Sequence, residues 1–581
     1  MKFTSFFLSS LAACAISYAA EKPNVVMILS DDQGWGDLSV SGNSDLKTPN
    51  IDSLARDGVS LDRFYVCPVC SPTRAEMLTG RYSTRLGVIS TSAGGERLNL
   101  DESTIADTFK AAGYATAAFG KWHNGSQWPY HPNARGFDEF YGFCSGHWGH
   151  YFDAELEHNG KLVKGKGYIT DDLTNRAIDF IKKNQEKPFF CYLPYNTPHS
   201  PMQVPDKFWE KFDGADLKMA NDQAKPMTLQ HNLAALAMCE NIDWNVGRVL
   251  KTLDALGIAK NTIVIYFSDN GPNGRRWNGG MKGIKGSTDE GGVRSPFFIR
   301  WPGTIKAGVT IAEIAGAIDL LPTLTDLSGI PTVGQKKLDG VSIKPLLTGT
   351  ATTWPERMIF STWRSRVSLR TQQYRLDHKG QLFDMQADPG QKQDVSKKYP
   401  ERSAKYQQAV ADWKEETKMP VETRPFTVGH PGAQLTHLPA RDGKSHGTIK
   451  RSSRYPNCSF FKNWSSTDDS ITWDIEVITA GSYQAQVYYT CKKENVGAML
   501  ELSFNGNKTQ GRITEAHDPP LVGEAENRIN RGESLVKDFR PGALGVLEMP
   551  SGRGVLTLRA TDIPGNEAVD VRYVVLTRLD Q

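Results

Sequence analysis

Outside its first twenty residues, the 581-residue sequence contains no long run of apolar residues. A membrane-spanning helix needs about 18 of them in succession, so we expect no membrane span. The formal net charge is only +3. A charge this small argues neither for nor against a nucleic-acid partner, and we expect none. No internal repeat is visible, so the chain is not an array of similar units.

The first residues have the pattern of a targeting segment. MKFTSFFLSSLAACAISYAAEK contains one lysine, then a short apolar stretch, then small residues before Glu21. This order is typical of a secretory signal peptide, which predicts that residues 1–20 are removed on export to the periplasm or the medium. The run LAAC at residues 11–14 offers an alternative, a lipoprotein signal in which Cys14 becomes the lipid-anchored first residue.

The next part of the chain has the pattern of an α/β domain. Continuous apolar runs at residues 23–32, 114–123, 188–199 and 262–271 are typical of strands that are buried on both faces of a parallel sheet. Helical patterns lie between the runs, as in DDLTNRAIDFIKKNQ, which carries its apolar residues on one face. We therefore expect a large mixed, mostly parallel sheet flanked by helices over residues 21–345.

Three further segments follow. Residues 346–419 contain short strand patterns and one helix, which indicates a small subdomain with an antiparallel sheet. Residues 420–450 are rich in Pro, Gly and His and lack periodicity, so we predict a linker. Short, evenly spaced strands over 451–581 predict an all-β sandwich. Cys458 and Cys491 both fall in this last segment and could pair in an exported protein.

Polar residues follow each buried run of the α/β domain. Asp31 and Asp32 end the first run, Lys121 and His123 the second, His199 the third, and Asp269 and Asn270 the fourth. Open α/β sheets place their sites at the carboxyl ends of their strands. We therefore expect these side chains to lie in one site.

Cys67 and Cys70 have the spacing of a redox or zinc motif. No other thioredoxin-like feature surrounds them, and no second pair of zinc ligands lies nearby. Ser71 and Pro72 instead predict a helix start, which places Cys70 at an N-terminus where free N–H groups attract anions. Arg74 lies one turn further on. A nucleophile in this position suits attack on phosphate or sulfate.

Several separated motifs resemble those of the formylglycine-dependent sulfatase family, part of the alkaline phosphatase superfamily, and in particular a bacterial carbohydrate sulfatase. In chain order they are SDDQG (30–34), CSPTR (70–74) with LTGR (78–81), GKWHNG (120–125), TPH (197–199), SDNG (268–271), KGSTDEGGVR (285–294), DLLPT (319–323) and LFD (382–384). The resemblance covers about residues 23–418. It departs from the family pattern at Asn124, where leucine is common.

The resemblance implies an alkaline phosphatase-like fold and the hydrolysis of sulfate esters. It also implies that a maturation enzyme oxidises Cys70 to formylglycine, whose hydrated aldehyde attacks sulfur. The implied metal ligands are Asp31, Asp32, Asp269, Asn270 and the modified Cys70. Hard oxygen ligands in this number favour Ca²⁺ over Mg²⁺.

The remaining catalytic roles also follow from the resemblance. Arg74, Lys121 and Lys285 would hold the sulfate oxygens, and His199 with Lys285 would protonate the leaving oxygen. His123 would remove the second proton of the diol. Two alternatives stay open: a phosphodiesterase or phosphonate monoester hydrolase of the same superfamily, and a glycan-binding protein without catalysis.

The substrate is expected to be a sulfated carbohydrate. His147 and His150 flank Trp148 and could bind sugar hydroxyls, with Arg275 on the opposite wall; packing roles are the alternative. The C-terminal β region loosely resembles carbohydrate-binding modules, on the basis of strand spacing and scattered aromatic residues such as Trp473, Tyr483, Tyr488 and Tyr489. A structural lid on the catalytic domain is the other interpretation of this region.

Overall fold

The computed structural model describes residues 22–219, 226–418 and 424–579. The predicted signal peptide, with Cys14, lies outside the described residues. Within those three ranges, no helix is both long and apolar enough to cross a membrane.

A ten-stranded mixed sheet forms the centre of the first domain. Its strands, with three short strands of a neighbouring small sheet, are β1 (Asn24–Ser30), β2 (Val59–Leu61), β3 (Phe64–Tyr65), β4 (Ala115–Lys121), β5 (Glu139–Phe143), β6 (Glu155–His158), β7 (Lys161–Lys164), β8 (Phe189–Pro194), β9 (Thr262–Ser268), β10 (Arg294–Ser295), β11 (Phe297–Arg300), β12 (Val309–Ile311) and β13 (Ala315–Gly316). The order is β12-β2-β11-β9-β1-β8-β4-β5-β6-β7. The central strands β9, β1, β8, β4 and β5 run parallel.

Helices cover both faces of the large sheet. They are α1 (Pro49–Arg56), α2 (Cys70–Thr79), α3 (Ile105–Ala111), α4 (Ile169–Lys183), α5 (Asp206–Trp209), α6 (Pro226–Ala255), α7 (Glu290–Val293), α8 (Leu320–Ser328) and α9 (Lys344–Leu347). Because side chains alternate along a strand, Val26 and Ile28 of β1 pack with α1, α4 and α6, whereas Val25 and Met27 pack with α2, α3 and α8. The predicted α/β class, with helices on both faces, is confirmed.

A small antiparallel sheet follows, as predicted for the fold class. Its strands are β14 (Ile359–Trp363), β15 (Arg366–Arg370), β16 (Tyr374–Leu376) and β17 (Leu382–Asp384). Helix α10 (Pro400–Glu416) covers the sheet, with Tyr406 and Trp413 buried among Leu369 and Leu382. Glu290 of α7 ties this subdomain to the large sheet, because Arg375 donates to its carboxylate at 2.7 Å.

The C-terminal region is a β-sandwich. Its strands are β18 (Phe426–Val428), β19 (Leu435–Pro439), β20 (Lys444–His446), β21 (Lys450–Arg451), β22 (Phe461–Lys462), β23 (Ser470–Val477), β24 (Gly481–Thr490), β25 (Met499–Phe504), β26 (Asn507–Arg512), β27 (Arg540–Met549), β28 (Gly552–Asp562) and β29 (Asp570–Arg578). One sheet has the order β18-β23-β28-β25-β26 and the other β21-β22-β29-β24-β27. Trp473, Tyr483 and Tyr489 are buried between the two sheets, so these aromatic side chains form the core rather than a sugar-binding surface.

Two expectations for this region were wrong. The described part of the predicted linker, residues 424–450, contains strands of the sandwich: β18 pairs with β23, β20 pairs with β23, and β19 pairs with β29. Its Pro and Gly residues lie in turns between strands that are too short to show a period. Cys458 and Cys491 are both buried free cysteines rather than a disulfide.

The sandwich packs directly against the α/β domain. Arg441 forms an ion pair with Glu96 at 3.4 Å, and both side chains are almost completely buried. The hydroxyl of Tyr573 donates to Glu155 of β6 at 3.3 Å. A domain that merely trailed behind a linker would not bury charged pairs against its neighbour, so the two domains share a continuous interface.

Candidate active site

The site is centred on the carboxyl ends of β1 and β9. These neighbouring parallel strands pair in register, with Ser30 opposite Ser268. Asp31 and Asp32 therefore leave β1 beside Asp269 and Asn270 as these leave β9. The amide of Asn270 donates to Asp32 Oδ1 at 2.8 Å, and the backbone N–H of Asp32 donates to Asp269 Oδ1 at 3.2 Å. Because β1 and β9 pair in this register, their carboxyl ends lie side by side, as the sequence predicted.

This group of side chains fits a hard cation. Among the described residues, Asp31 Oδ1, Asp32 Oδ2 and Asn270 Oδ1 are buried and accept no hydrogen bond. Buried polar atoms are rarely left without partners, so three such oxygens in one place are suited to a ligand. All three are oxygens of the kind that Ca²⁺ and Mg²⁺ bind. Asp32 also has a left-handed backbone with φ of 67°, an uncommon conformation outside glycine that often marks functional sites.

Three cationic side chains surround the carboxylates. Lys121, the last residue of β4, places Nζ 2.5 Å from Asp31 Oδ2. Lys285 Nζ lies 2.5 Å from Asp32 Oδ1. Arg74 donates through Nη2 to Asp269 Oδ2 at 2.9 Å and through Nη1 to the carbonyl of Lys121 at 2.6 Å. Positive charge is therefore concentrated beside the carboxylates, where it could attract an anion.

The local charges shift the pKa values of two carboxyl groups in opposite directions. Burial alone would raise the pKa of Asp31, but the charges of Lys121, His199 and Arg74 outweigh burial and hold it well below the ordinary range. Burial and the nearby charge of Asp31 raise the pKa of Asp269 to about 7 despite Arg74. Crowded carboxylates resist ionising together, and a bound cation would relieve that repulsion.

Cys70 lies at the start of α2, close to this group. Its Sγ and one carboxylate oxygen each of Asp31 and Asp269 all lie within 4.8 Å of one another. Burial raises the pKa of the Cys70 thiol, so the unmodified side chain is a poor thiolate nucleophile. The sequence position of Ser71 suggested a helix cap, but its side chain does not cap the helix. Its hydroxyl instead donates to the carbonyl of His123 at 2.9 Å. Asn124 donates to the carbonyl of Ser71 at 3.2 Å and holds the same turn.

His123 is buried and held by one ring nitrogen. Nε2 lies 2.8 Å from the carbonyl oxygen of Thr91, and a carbonyl can only accept, so Nε2 carries the proton. Nδ1 is buried and has no hydrogen-bond partner among the described residues. Burial and the charge of Lys121 lower the pKa of His123 well below its ordinary value. The ring is thus neutral, with a free lone pair on Nδ1.

His199 and His147 form a stacked pair at the other side of the site. Their ring centroids lie 5.8 Å apart with the planes 17° from parallel. His199 Nδ1 donates to the carbonyl of Ser200 at 2.7 Å, and its Nε2 lies 3.7 Å from Asp32 Oδ2. Burial and the charge of Lys285 lower the pKa of His199. The Nε2 atom of His199 thus lies beside the Asp32 carboxylate.

Two residues expected at the substrate lie apart from this cluster. His150 faces the sandwich, with Nε2 3.5 Å from a carboxylate oxygen of Glu526. Arg275 is exposed on the loop after Asn270, and its carbonyl accepts from Asn232 at 2.9 Å. The neighbouring Arg276 is buried in an ion pair with Asp37 at 2.7 Å, which fixes the loop instead of lining a pocket wall.

Sequence reasoning missed two residues that hold site histidines. Thr91 fixes His123 through its carbonyl, a contact that any residue type could make, so no sequence signal marks it. Asn457 of the sandwich places its amide nitrogen 3.2 Å from His147 Nδ1, across 310 residues of chain. A lid on the catalytic domain was one interpretation of the C-terminal region, but no local sequence signal marks Asn457 as the contacting residue.

The architecture is the alkaline phosphatase-like α/β fold found in solved sulfatase structures. A sulfatase family model matches residues 23–330, more than half of the chain, and a model for the C-terminal part of N-sulphoglucosamine sulphohydrolase matches residues 285–418. The chain therefore belongs to the sulfatase family and is a sulfuric ester hydrolase.

Individual relatives agree with this assignment. The chain is 32% identical to N-acetylgalactosamine-6-sulfatase of Mus musculus over 378 residues, covering 58% of this chain and 69% of the relative. It is 29% identical to steryl-sulfatase of Homo sapiens, covering 60% and 73%. The solved structure of Ps i-CgsB in complex with k-i-k-neocarrahexaose aligns with a TM-score of 0.63 and 31% identity, covering 69% of this chain and 94% of that one.

Proposed function

We propose that the protein hydrolyses sulfate esters on a saccharide, using a formylglycine made from Cys70 and a bound Ca²⁺. One observation carries this proposal: Cys70 starts a buried helix within 4.8 Å of Asp31 and Asp269 carboxylate atoms, where Arg74, Lys121 and Lys285 also converge. The buried, weakly acidic thiol supports a precursor role for Cys70 rather than a direct one.

Ca²⁺ is preferred over Mg²⁺ because of the number of protein ligands. Asp31, Asp32, Asp269 and Asn270 offer four hard side-chain oxygens, whereas Mg²⁺ usually keeps most of its waters and takes one or two carboxylates. When bound, the cation would polarise the sulfate, and the formylglycine would supply the attacking hydroxyl as a hydrated aldehyde.

The side chains around Cys70 would bind the sulfate and stabilise its growing charge. Arg74, Lys121 and Lys285 present N–H donors to one small volume, so each can contact a different sulfate oxygen. Because these side chains are largely buried, their charges are weakly screened and act strongly on charge that develops during the reaction.

Two proton transfers are assigned to residues of this chain. His199 would act as the imidazolium, because Nδ1–H is held by the carbonyl of Ser200 and Nε2 must carry the proton that is transferred; the charge of Asp32 favours this form. His199 Nε2 and Lys285 Nζ both lie next to Asp32 and would protonate the leaving alcohol oxygen. His123 Nδ1, with its lone pair free because Nε2 is held by Thr91, would take the second diol proton as sulfate leaves. The Asp269 carboxylate would take the proton of the attacking hydroxyl.

A sulfated saccharide is the substrate class that the relatives support. The solved relative at 31% identity was crystallised with k-i-k-neocarrahexaose, and the curated relatives include N-acetylgalactosamine-6-sulfatases. His147 lies beside His199 and would contact the sugar that carries the sulfate. His150 lines a cleft of about 610 Å³ between the two domains, with Trp148 and Phe152, and we assign it to a more distant sugar unit. Arg275 is assigned to the opposite rim.

The export pattern in residues 1–20 supports a periplasmic or secreted protein, with a lipid anchor at Cys14 as the alternative. A formylglycine-generating maturation enzyme would act on Cys70 before the chain folds, since Cys70 is only 3% exposed in the folded protein. Cell fractionation with an intact and a signal-deleted chain tests export, and a retained cytoplasmic location of the intact chain would contradict it.

The experiment that tests the function is a desulfation screen. Purified protein carrying the aldehyde is incubated with defined sulfated saccharides and with matched phosphate esters, and released sulfate or phosphate is measured. We expect sulfate release from at least one saccharide and slower phosphate release. Faster phosphate release would favour the phosphodiesterase alternative. Saccharide binding without any release would favour the non-catalytic alternative.

A further inference from the structure

A loop of the β-sandwich reaches the leaving-group side of the active site. Asn457 lies between β21 and β22, and its Nδ2 is 3.2 Å from His147 Nδ1. An amide nitrogen can only donate a hydrogen bond, so His147 Nδ1 must accept. In the neutral ring the proton is then on Nε2. Asn457 thus determines which nitrogen of His147 is the donor.

The other ring nitrogen of His147, Nε2, is positioned to bind a ligand. His147 Nε2 is buried and makes no hydrogen bond with any described residue, and the same holds for Asn457 Oδ1. A buried N–H without a partner is costly unless a ligand supplies an acceptor. Because the ring stacks on His199, a sugar oxygen bound at His147 Nε2 would lie next to the proposed acid.

The approach of Asn457 depends on the small residue before His147. A Cβ on Gly146 would stand 2.6 Å from Asn457 Nδ2 and 2.6 Å from His123 Nε2, closer than real Cβ contacts allow. Any side chain here would force Asn457 or His123 to move. Glycine therefore lets Asn457 of the sandwich and His123 of the α/β domain both approach the residue before His147.

Other contacts anchor the same loops. Ser145 Oγ donates to the carbonyl of His147 at 2.8 Å, and the hydroxyl of Ser200 bonds to the Glu533 carboxylate of the sandwich. Arg531 of the sandwich donates to the carbonyl of Gly149. The segments that carry His147 and His199 are thus each tied to the C-terminal domain.

We propose that the β-sandwich completes the leaving-group subsite, with Asn457 as a positioning residue that holds His147 with its Nε2–H toward the saccharide. This inference rests on the proposed saccharide sulfatase function. The matches to family models end at residue 418, so Asn457 belongs to a part of the chain that those models do not describe. The ligand group expected at His147 Nε2–H is a sugar oxygen, neutral or anionic, that accepts a hydrogen bond.

The test is a double-mutant cycle measured on two substrates. Asn457→Ala, His147→Ala and the double variant are assayed for kcat/KM on a sulfated saccharide and on an activated aryl sulfate. We expect Asn457→Ala to lower the saccharide value about tenfold, the size of one well-placed hydrogen bond, and to spare the aryl value. In the His147→Ala background, Asn457→Ala should cause no further loss, because it acts through His147.

Asn507→Ala is the matched control. Asn507 is exposed on β26 and bonds within the sandwich, to the carbonyl of Glu548 at 2.9 Å, so its loss should leave both values unchanged. Wild-type saccharide activity in Asn457→Ala, equal losses on both substrates, or an additive loss in the double variant would each overturn the proposal. Wild-type protein that is inactive on both substrates would instead overturn the proposed function itself.

A second measurement reads the tautomer directly in the wild-type protein, and a variant is needed only to assign the signal. Nitrogen-15 NMR of histidine-labelled wild-type holoenzyme reports which ring nitrogen carries the proton, with the His147 signal assigned by its loss in His147→Gln. We expect an unprotonated Nδ1 and a protonated Nε2 for His147. The opposite tautomer would contradict a donor role for Asn457 and overturn the proposal.

Discussion

Lys121 Nζ lies 2.5 Å from Asp31 Oδ2, and both side chains are completely shielded from solvent. Lys121 ends β4 and Asp31 follows β1, and strand β8 separates these two strands in the sheet. The ion pair therefore spans an intervening strand end and joins the proposed sulfate-binding cations to the proposed cation ligands. Because both charges are removed from water, each needs the other for electrostatic compensation.

Replacing Lys121 with methionine should abolish turnover and destabilise the fold. Removing one partner of a buried ion pair typically costs about 3–5 kcal/mol, because the other charge is left without compensation. We expect about 3 kcal/mol, since Arg74 lies 3.8 Å from the same oxygen of Asp31. Chemical denaturation of the variant measures this loss. The double variant Lys121→Met, Asp31→Asn should regain much of the stability but no activity, and a double variant as unstable as the single one would contradict the pairing.

Removing the cation should stop the reaction while leaving the fold in place. A chelator is expected to eliminate sulfate release, and added Ca²⁺ should restore it more fully than Mg²⁺. Asp269→Ala should show the same loss, with no recovery on adding Ca²⁺, because a proposed ligand and the partner of Arg74 are both removed. Circular dichroism serves as the control for folding. Unchanged turnover of chelated, metal-free protein would show that these carboxylates do not hold a required ion.

His199→Ala should harm a sulfated sugar far more than an activated aryl sulfate. A sugar alcohol is a poor leaving group and needs a proton as the S–O bond breaks, whereas a nitrophenolate does not. General acid catalysis contributes about 10²–10⁴-fold, so a loss of that size is expected for the sugar alone. The measurement is kcat/KM for both substrates. Losses of equal size would assign the acid role to Lys285, whose Nζ lies beside the same carboxylate.

Glu290 should make the protein sensitive to acid. Burial alone would raise its pKa, but Arg370, Arg375 and Arg294 outweigh burial and lower it from 4.5 to about 2. A carboxyl group with a lower pKa in the folded state stabilises the protein above the unfolded pKa and loses that contribution as pH falls through the folded one.

The expected contribution of Glu290 is about 3 kcal/mol at neutral pH, lost between about pH 4.5 and 2. Unfolding free energy measured across this range gives the slope. Glu290→Gln should be less stable at neutral pH and should show a shallower fall in acid, because the titrating group is gone. An identical acid profile in both proteins would contradict the assignment.

The strand ends of the site were predictable from the sequence. Each relevant apolar run is continuous, which predicts a strand buried on two faces, and the polar residues follow directly. The two runs ending in SDD and SDN also align in register, with Ser30 opposite Ser268. Site residues that directly follow a strand can be located from the local sequence pattern alone.

Contacts between distant segments were not predictable in the same way. The strands β18 and β19 have only three and five residues, and their partners β23 and β29 lie far along the chain. Segments this short carry no measurable period, so their Pro and Gly content suggested a linker instead. Asn457 likewise follows a proline in an irregular turn, and only the packing of the two domains brings it to His147.

Sulfate release by protein whose residue 70 is chemically defined tests the formylglycine mechanism directly. Mass spectrometry of the peptide containing residue 70 measures the fraction converted from thiol to aldehyde in several preparations, made with and without a maturation enzyme. Sulfate release from an activated aryl sulfate is then measured for each preparation and for Cys70→Ala. We expect activity in proportion to the aldehyde fraction and none in Cys70→Ala. Equal activity in unconverted protein, or activity in Cys70→Ala, would contradict it.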